Sequence, residues 1–308
     1  MKTNPIYLKE TDMFIHTCNE SIAGLDMRSK SDLTVPIVYF VTPTYHRREQ
    51  VVELIRLSQT LVNVKNLVWI IAEDSEICSS RVSSFLFDKR EKIPYIHLIS
   101  PIPKMYDNVF SKPKGVSSRN AAVNWIIDKE MTLPSGIIYF GDDDNTYDLR
   151  LFEEIRMTRK VSMFPVGFIG TIGFSSPIIE KSKVIGFTDY FFANRKFPVD
   201  MAGFAVNIDV LRRHKPKMPF LVNHEETLFL QNLNLNMEDI EPLANDCTEV
   251  LVWHTKTVKN DFPSYRIGVG SGTNLHRLMK SMSDKGLASE STNGDLLPVC
   301  MNSGGFYW

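Results

Sequence analysis

Residues 137–156 read IIYFGDDDNTYDLRLFEEIR. Four apolar residues run into Gly141, then Asp142, Asp143 and Asp144 stand side by side, and a segment with helical spacing follows. The apolar run has the length and character of a strand buried on both faces. Three carboxylates at its carboxyl end repel one another and lose hydration, so something positive should meet them. In the bland reading the triplet is a solvated acidic turn, with Asp144 and Asn145 capping the next helix. The strand before it favours a different reading, in which the triplet stands at a sheet edge facing a ligand crevice.

The flanking sequence places that strand in a sheet. PIVYFVTPTY (36–45), NLVWIIAEDS (66–75) and PYIHLIS (94–100) read as further buried strands. HRREQVVELIRLSQTLVNV (46–64) reads as a helix with Val51, Leu54, Ile55 and Leu61 on one face. SSRNAAVNWIIDKEM (117–131) reads as another, with Ser117 as its cap. The order strand–helix–strand–strand–helix–strand predicts an α/β domain with a mainly parallel sheet. In such sheets ligands bind beyond the carboxyl ends of the strands. Thr42-Pro43-Thr44-Tyr45, Glu73-Asp74 and the aspartate triplet all fall there. After residue 160 short strand-like runs alternate with Gly, Pro and Asn, which predicts a mixed second half. EVLVWHTKT (249–257) is a late strand carrying His254. Residues 1–34 read as a polar tail, and residues 261–308, rich in Ser, Gly and Asn, as a loosely structured one.

The bulk numbers narrow the function classes. A net charge of −1 over 308 residues gives no nucleic-acid-binding surface, so attraction for an anionic substrate must be local. The four cysteines are far apart and form no Cys/His cluster, which argues against zinc; their spacing leaves disulfide pairing open. Asn19-Glu20-Ser21 is an N-glycosylation sequon. The first residues hold no apolar run long enough for a signal peptide or membrane span, so either the protein is soluble or an anchor lies outside this sequence.

Consecutive carboxylates at a strand end make a hard-oxygen environment suited to Mg²⁺ or Mn²⁺ held together with a nucleotide diphosphate. Neighbouring residues of an extended chain point opposite ways, so one or two aspartates would reach the metal and another the sugar nucleotide.

VTPTYHR, LSQTL, WIIAEDSE, YFGDDDNTYDLRLFEEIRMTR, FPVDMAGFAV and VLVWHTKT together resemble the animal β-1,3-glucuronosyltransferases, glycosyltransferase family 43. The resemblance spans about residues 35–260, with the blocks in the right order. Those enzymes build the proteoglycan linkage region and the HNK-1 carbohydrate epitope. The resemblance implies a GT-A type fold with a Rossmann-like, mainly parallel sheet, a donor-binding half over 35–148 and an acceptor-binding half over 149–260. It implies Mn²⁺, UDP-glucuronate as donor, inversion at the anomeric carbon and transfer to the 3-hydroxyl of a terminal galactose. It also implies a type II Golgi membrane protein, usually a homodimer.

By the same resemblance Asp144 is the metal ligand, and Asp142 and Asp143 contact the ribose or donor sugar. Pro43, Tyr45 and Asp74 frame the uracil. Arg119 is retained from a family pair of arginines, and Lys114 stands in the place of the other. His254 matches a diphosphate-binding histidine, and Lys256 replaces a nearby arginine. The catalytic base is Glu226, with Glu225 the alternative if the register is off by one. Arg195 and Asp200 match positions that bind acceptor galactose or donor glucuronate. Phe191 stands where a tryptophan often stacks on the sugar, and Ser175 where a glutamate contacts the acceptor. These two departures leave the acceptor open. The competing readings are the same fold with another acceptor or donor, such as UDP-xylose, and a catalytically silent sugar-nucleotide-binding protein. Retention of Asp144 and Glu226 argues against silence.

Overall fold

Runs of β-branched and aromatic residues bounded by Pro, Asn and Gly become strands wherever both faces can be covered. The computed structural model describes residues 14–21, 35–47, 49–106, 113–129, 133–192, 194–255, 263–284, 288–301 and 306–307. The chain forms two units, Met1–Asp143 with Asn207–Leu233, and Asp144–Val206 with Asn234–Trp308. Residues 207–233 thus pack with the first unit rather than with their neighbours in sequence.

The first unit holds β1 (His16–Ser21), β2 (Ile37–Tyr45), α1 (Gln50–Leu61), β3 (Leu67–Asp74), α2 (Ser80–Lys89), β4 (Tyr95–Ile99), α3 (Val116–Asp128) and β5 (Gly136–Phe140). Its strands lie in the order β1-β4-β3-β2-β5. β2 pairs in parallel with β3 and β5, and β3 with β4, as the α/β reading expects. The chain builds outward from β2 through β3 to β4, then returns to lay β5 on the other side of β2. Doubly wound sheets open a crevice at such a reversal, beyond the carboxyl ends of the two strands that flank it. Here those ends are Thr42–Tyr45 and Gly141–Asp143.

Four local expectations are corrected. A parallel β3–β4 pair needs a crossover, and α2 supplies it, capped by Ser79, whose side chain accepts from the Val82 amide. Buried Val82, Phe85 and Leu86 give α2 its inward face. On α1 the buried residues are Gln50, Leu54, Leu57, Ser58 and Leu61, while Ile55 is exposed. Ser117 lies inside α3 and donates to the Pro101 carbonyl at 3.1 Å; Gly115 is the cap residue. The segment read as an N-terminal tail contains β1, antiparallel to β4 and carrying the half-buried sequon residue Asn19. A Cys18–Cys78 disulfide closes 60 residues of sequence and ties β1 to the loop after β3. Chain entropy alone makes such a closure worth about 4 kcal/mol.

In the second unit Phe174–Glu180 and Lys183–Thr188 form an antiparallel hairpin, turned through Lys181 and Ser182 at positive φ. Val161–Met163 pairs with Phe204–Asn207 and with Ile240–Pro242. Val252–Trp253 lies between Val166–Gly167 and Thr146–Tyr147. The C-terminal segment, expected to be loose, is packed. Leu275, Leu278, Met279 and Met282 of helix Leu275–Asp284 are buried with Phe174, Ile178, Val250, Leu297 and Val299.

That packing has a measurable cost when cut. Leu278→Ala removes a fully buried side chain and lowers the unfolding free energy by about 2–5 kcal/mol. Urea denaturation checks it; a variant as stable as the wild type would mean this helix is not part of the core.

Candidate active site

β2 and β5 deliver the first group of side chains. Their register sets Val41 beside Phe140, so the two chains leave the sheet together into Thr42–Tyr45 and Gly141–Asp143. Gly141 sits where a Cβ would meet the Phe40 ring at 2.0 Å, which explains a glycine between strand and aspartates. Two of the three carboxyls that follow are held by arginines. Asp142 accepts from Arg119 Nη2 at 2.5 Å. Asp143, buried, accepts from Arg47 Nη2 at 2.6 Å and from Thr44 Oγ1 at 2.8 Å. Burial raises the Asp143 carboxyl above the ordinary range; Arg47 and Thr44 oppose the rise and Asp142 adds to it.

Arg119 is buried on α3 and also donates to the Lys114 carbonyl at 3.2 Å. Burial by itself would lower its pKa; Asp142, with Glu226 and Glu225 beyond it, reverses the sign and raises it. Gly115 makes the approach possible. A Cβ there would lie 2.6 Å from Arg119 Nη1 and 3.1 Å from Pro43 Cβ, and its φ of +74° already favours glycine. The backbone of Lys114–Gly115 is thus laid against both Arg119 and Pro43.

Tyr45 is exposed at the end of β2, directly opposite Asp74 of β3. The Arg47 guanidinium carbon lies 4.9 Å from its ring centroid and Lys114 Nζ 5.6 Å. Asp74 accepts from the Ile102 amide at 2.8 Å. The structure therefore gathers Pro43, Tyr45, Asp74, Lys114, Arg119, Asp142 and Asp143 at one end of the first unit's sheet. Glu225 and Glu226 open helix Glu225–Asn232, which packs Phe229 edge-on to Phe140 of β5. Glu225 is half-buried. Burial lifts its carboxyl above the usual range, against the Glu225 and His224 amides and Arg119.

The second unit begins at Asp144, half-buried in the turn after Asp143. The next helix is capped by Asp148, whose side chain accepts from the Arg150 amide, so Asp144 and Asn145 do not serve as its cap. The antiparallel register of Val252 with Tyr147 and Trp253 with Thr146 carries His254 and Thr255 back alongside Asp144. Thr255 Oγ1 donates to the Asp144 carbonyl at 2.5 Å. His254 Nδ1 lies 3.6 Å from Asp200 Oδ2, and Asp200 also caps the turn Met201–Gly203. Lys256 lies outside the described residues. Arg195 is buried: it donates to Asp189 at 2.7 Å and to the Phe191 carbonyl, leaving Phe191 partly exposed. Ser175 is buried beside them and hydrogen-bonds Asp189, whose carboxyl burial raises despite Arg195.

Carboxylate oxygens at a strand end are the donor type that suits a hard divalent cation. Among the described residues the triplet forms no ready three-ligand cage. Asp142 and Asp143 hold arginines, and Asp144 follows them as a half-buried carboxylate in the turn; a metal here would draw its other ligands from phosphate oxygens and water. Sequence reading assigns no role of their own to Arg47, Thr44, Thr255 and Asp189. The first two stand inside the TPTYHR block and could have been read as partners for the triplet. Thr255 stands inside the VLVWHTKT block, and Asp189 carries no local signal.

The raised Glu225 carboxyl has a sign that can be checked. Its neutral form is favoured in the folded chain, so its contribution to stability is present below the ordinary carboxylate pKa and is lost as pH rises through the raised value. Glu225→Gln therefore raises the melting temperature by about 1–3 °C near pH ~7.5, with the gain gone near pH ~4. Scanning calorimetry at both pH values reads it; a loss of stability at the higher pH would contradict the burial argument.

The profile of glycosyltransferase family 43 matches residues 57–258. Galactosylgalactosylxylosylprotein 3-beta-glucuronosyltransferase S of Drosophila melanogaster is 43% identical over 284 residues, covering 89% of this chain and 68% of that one. The Caenorhabditis elegans relative sqv-8, of the same enzyme name, is 42% identical over 244 residues, 76% of this chain and 68% of its own. Human 3-beta-glucuronosyltransferase 2 is 41% identical over 232 residues, 73% and 70% of the two chains. The Staphylococcus aureus TarS structure with UDP-GlcNAc overlays with a TM-score of 0.46 at 15% identity, covering 73% of this chain and 60% of that one, too slight a likeness to build on. Matched over most of its length by the family and by relatives at this level, the chain belongs to glycosyltransferase family 43 and is a glycosyltransferase.

Proposed function

We propose that the chain transfers glucuronate from UDP-glucuronate to the 3-hydroxyl of a terminal galactose, with inversion and with Mn²⁺. The acceptor galactose ends a proteoglycan linkage region or a glycoprotein or glycolipid glycan. The observation that carries this reading is Arg119, placed in one unit with Asp142 at the end of β5 and within electrostatic reach of Glu225 and Glu226. A guanidinium between a nucleotide-binding strand tip and a carboxylate pair suits a donor with a diphosphate and a carboxylate of its own. The names of the relatives supply the sugar and the linkage.

In this reading Tyr45 stacks on the uracil and Asp74 accepts its N–H. Asp142 and Asp143 bind ribose or donor sugar, and Arg119 and Lys114 neutralise donor charge. Asp144 holds the cation, and His254 with Lys256 binds the diphosphate. When bound, the cation screens the leaving diphosphate. Glu226 takes the proton of the acceptor hydroxyl as its oxygen bonds to the anomeric carbon; the bond from that carbon to the diphosphate breaks, and the electron pair leaves with UDP. Phe191, Arg195 and Asp200 shape the acceptor side. Glu225 is the second reading for the base, favoured by its burial. The Cys18–Cys78 disulfide suits a lumenal compartment, here the Golgi, with a type II anchor outside this sequence and a homodimer as the assembly. No helix of the described residues is long and apolar enough to cross a membrane.

Glu226→Gln lowers kcat for glucuronate transfer by about 10²–10⁴-fold while UDP still binds. The same loss in Glu225→Gln with Glu226→Gln active reassigns the base. Asp144→Ala abolishes Mn²⁺-dependent UDP binding in calorimetry; unchanged affinity removes Asp144 as the ligand. Faster transfer from UDP-xylose than from UDP-glucuronate overturns the donor.

A further inference from the structure

Behind the aspartate triplet, in the interior of the first unit, runs an unbroken chain of buried polar side chains. Thr44, Gln50, Glu73 and His97 are each within 2% of complete burial, and each comes from a different element: β2, α1, β3 and β4. The bonds from Asp143 to Glu73 have one orientation, and those of His97 follow from its tautomer. Thr44 Oγ1 lies 2.8 Å from Asp143 Oδ2, and since Asp143 also receives Arg47 on its other oxygen at 2.6 Å, the threonine donates. Thr44 Oγ1 in turn accepts from Gln50 Nε2 at 3.3 Å. The second N–H of that amide goes to Glu73 Oε1 at 3.2 Å. Glu73 Oε2 faces His97 Nε2 at 3.3 Å, and His97 Nδ1 faces Ser83 Oγ at 3.4 Å. With Nε2 protonated, the imidazole donates to Glu73 and accepts from Ser83.

Gln50 is the link that decides the rest. Its amide nitrogen bridges two acceptors, and flipping the amide would set its carbonyl against the Glu73 carboxyl. Its own Oε1 is buried without a partner. An orphaned buried carbonyl costs free energy that methionine or leucine would avoid. The chain bears that cost at the one residue whose amide joins Glu73 to Thr44. A core built for stability alone would fill the space with apolar side chains.

We propose that Gln50 and Glu73 are positioning residues for the donor site: with His97 behind them they fix Thr44, and through Thr44 they hold Asp143 and the acidic tip in one conformation before any ligand arrives. Arg47 holds the same carboxyl from the other side. Asp142 and Asp144 flank Asp143, so whatever fixes Asp143 fixes the start of both. The inference rests on the donor-site reading above and deepens it: the residues that orient the tip lie beneath it, on β2, α1, β3 and β4.

Calorimetric titration of UDP with Mn²⁺ into the full chain tests it, with thermal melts of every variant alongside. Gln50→Met and Thr44→Val each weaken UDP binding by about 10–100-fold, the range for residues that orient a ligand-binding group through a hydrogen bond. Thr44→Ser, which keeps the hydroxyl, stays within about threefold of wild type. The double variant Gln50→Met/Thr44→Val is no weaker than the weaker single, because both cut one chain. A stability role alone would lower the melting temperature, leave the UDP affinity unchanged and show no rescue by serine. If Gln50→Met fails to fold, Thr44→Val and Thr44→Ser decide the matter. Wild-type binding with unchanged affinity in the variants, or losses that multiply in the double, overturns the positioning chain alone. Absence of UDP binding by the wild type overturns the donor-site reading and this inference with it.

Discussion

The structure turns on a charge problem and its solution: three adjacent carboxylates leave the end of a buried strand, and two arginines from elsewhere in the chain meet two of them. Arg119 reaches Asp142 from α3, and Arg47 reaches Asp143 from the turn after β2. Each pair is partly desolvated, where removing one partner strands the other charge at a cost of several kcal/mol. Asp144, the third carboxylate, stands where the first unit gives way to the second. Pairing two of the three carboxylates with arginines reduces the repulsion within the tip.

The sheet explains why these groups meet at all. β5 returns to the far side of β2, so two strand ends distant in sequence leave the sheet side by side. Thr44 and Asp143 are 99 residues apart in sequence and share a hydrogen bond. Arg119 reaches across only because Gly115 has no side chain, which gives that glycine a steric reason as well as a conformational one.

The acidic tip, the TPTY block and the sheet that carries both were legible because buried parallel strands leave continuous apolar runs, and ligand groups follow where the runs stop. The partners of the tip were not. Which arginine pairs with which aspartate depends on helix placement and on side-chain reach across the sheet, neither of which has a sequence period. α2 was missed because its short apolar face, Val82, Phe85 and Leu86, lies in a polar stretch; the need for a crossover between parallel strands would have exposed it. The C-terminal segment was misread because its Ser, Gly and Asn content drew attention from Leu275, Leu278, Met279 and Met282, which repeat at helical spacing. In the second unit, the ion pair of Arg195 with Asp189 shows the same limit. Nothing in its motif announced that Arg195 is buried and pairs with Asp189, or that it also bonds the Phe191 carbonyl.

The covalent tie from β1 bears on how the enzyme can be cut. A catalytic fragment trimmed at residue 35, as its polar leader invites, would lose Cys18 and with it the outermost strand. β4 would become a bare sheet margin, open to pairing with another molecule. Cys78, four residues from Asp74, would be left as a thiol able to attack other disulfides. Such a fragment would favour tangled, cross-linked material over a clean monomer, for reasons that have nothing to do with catalysis.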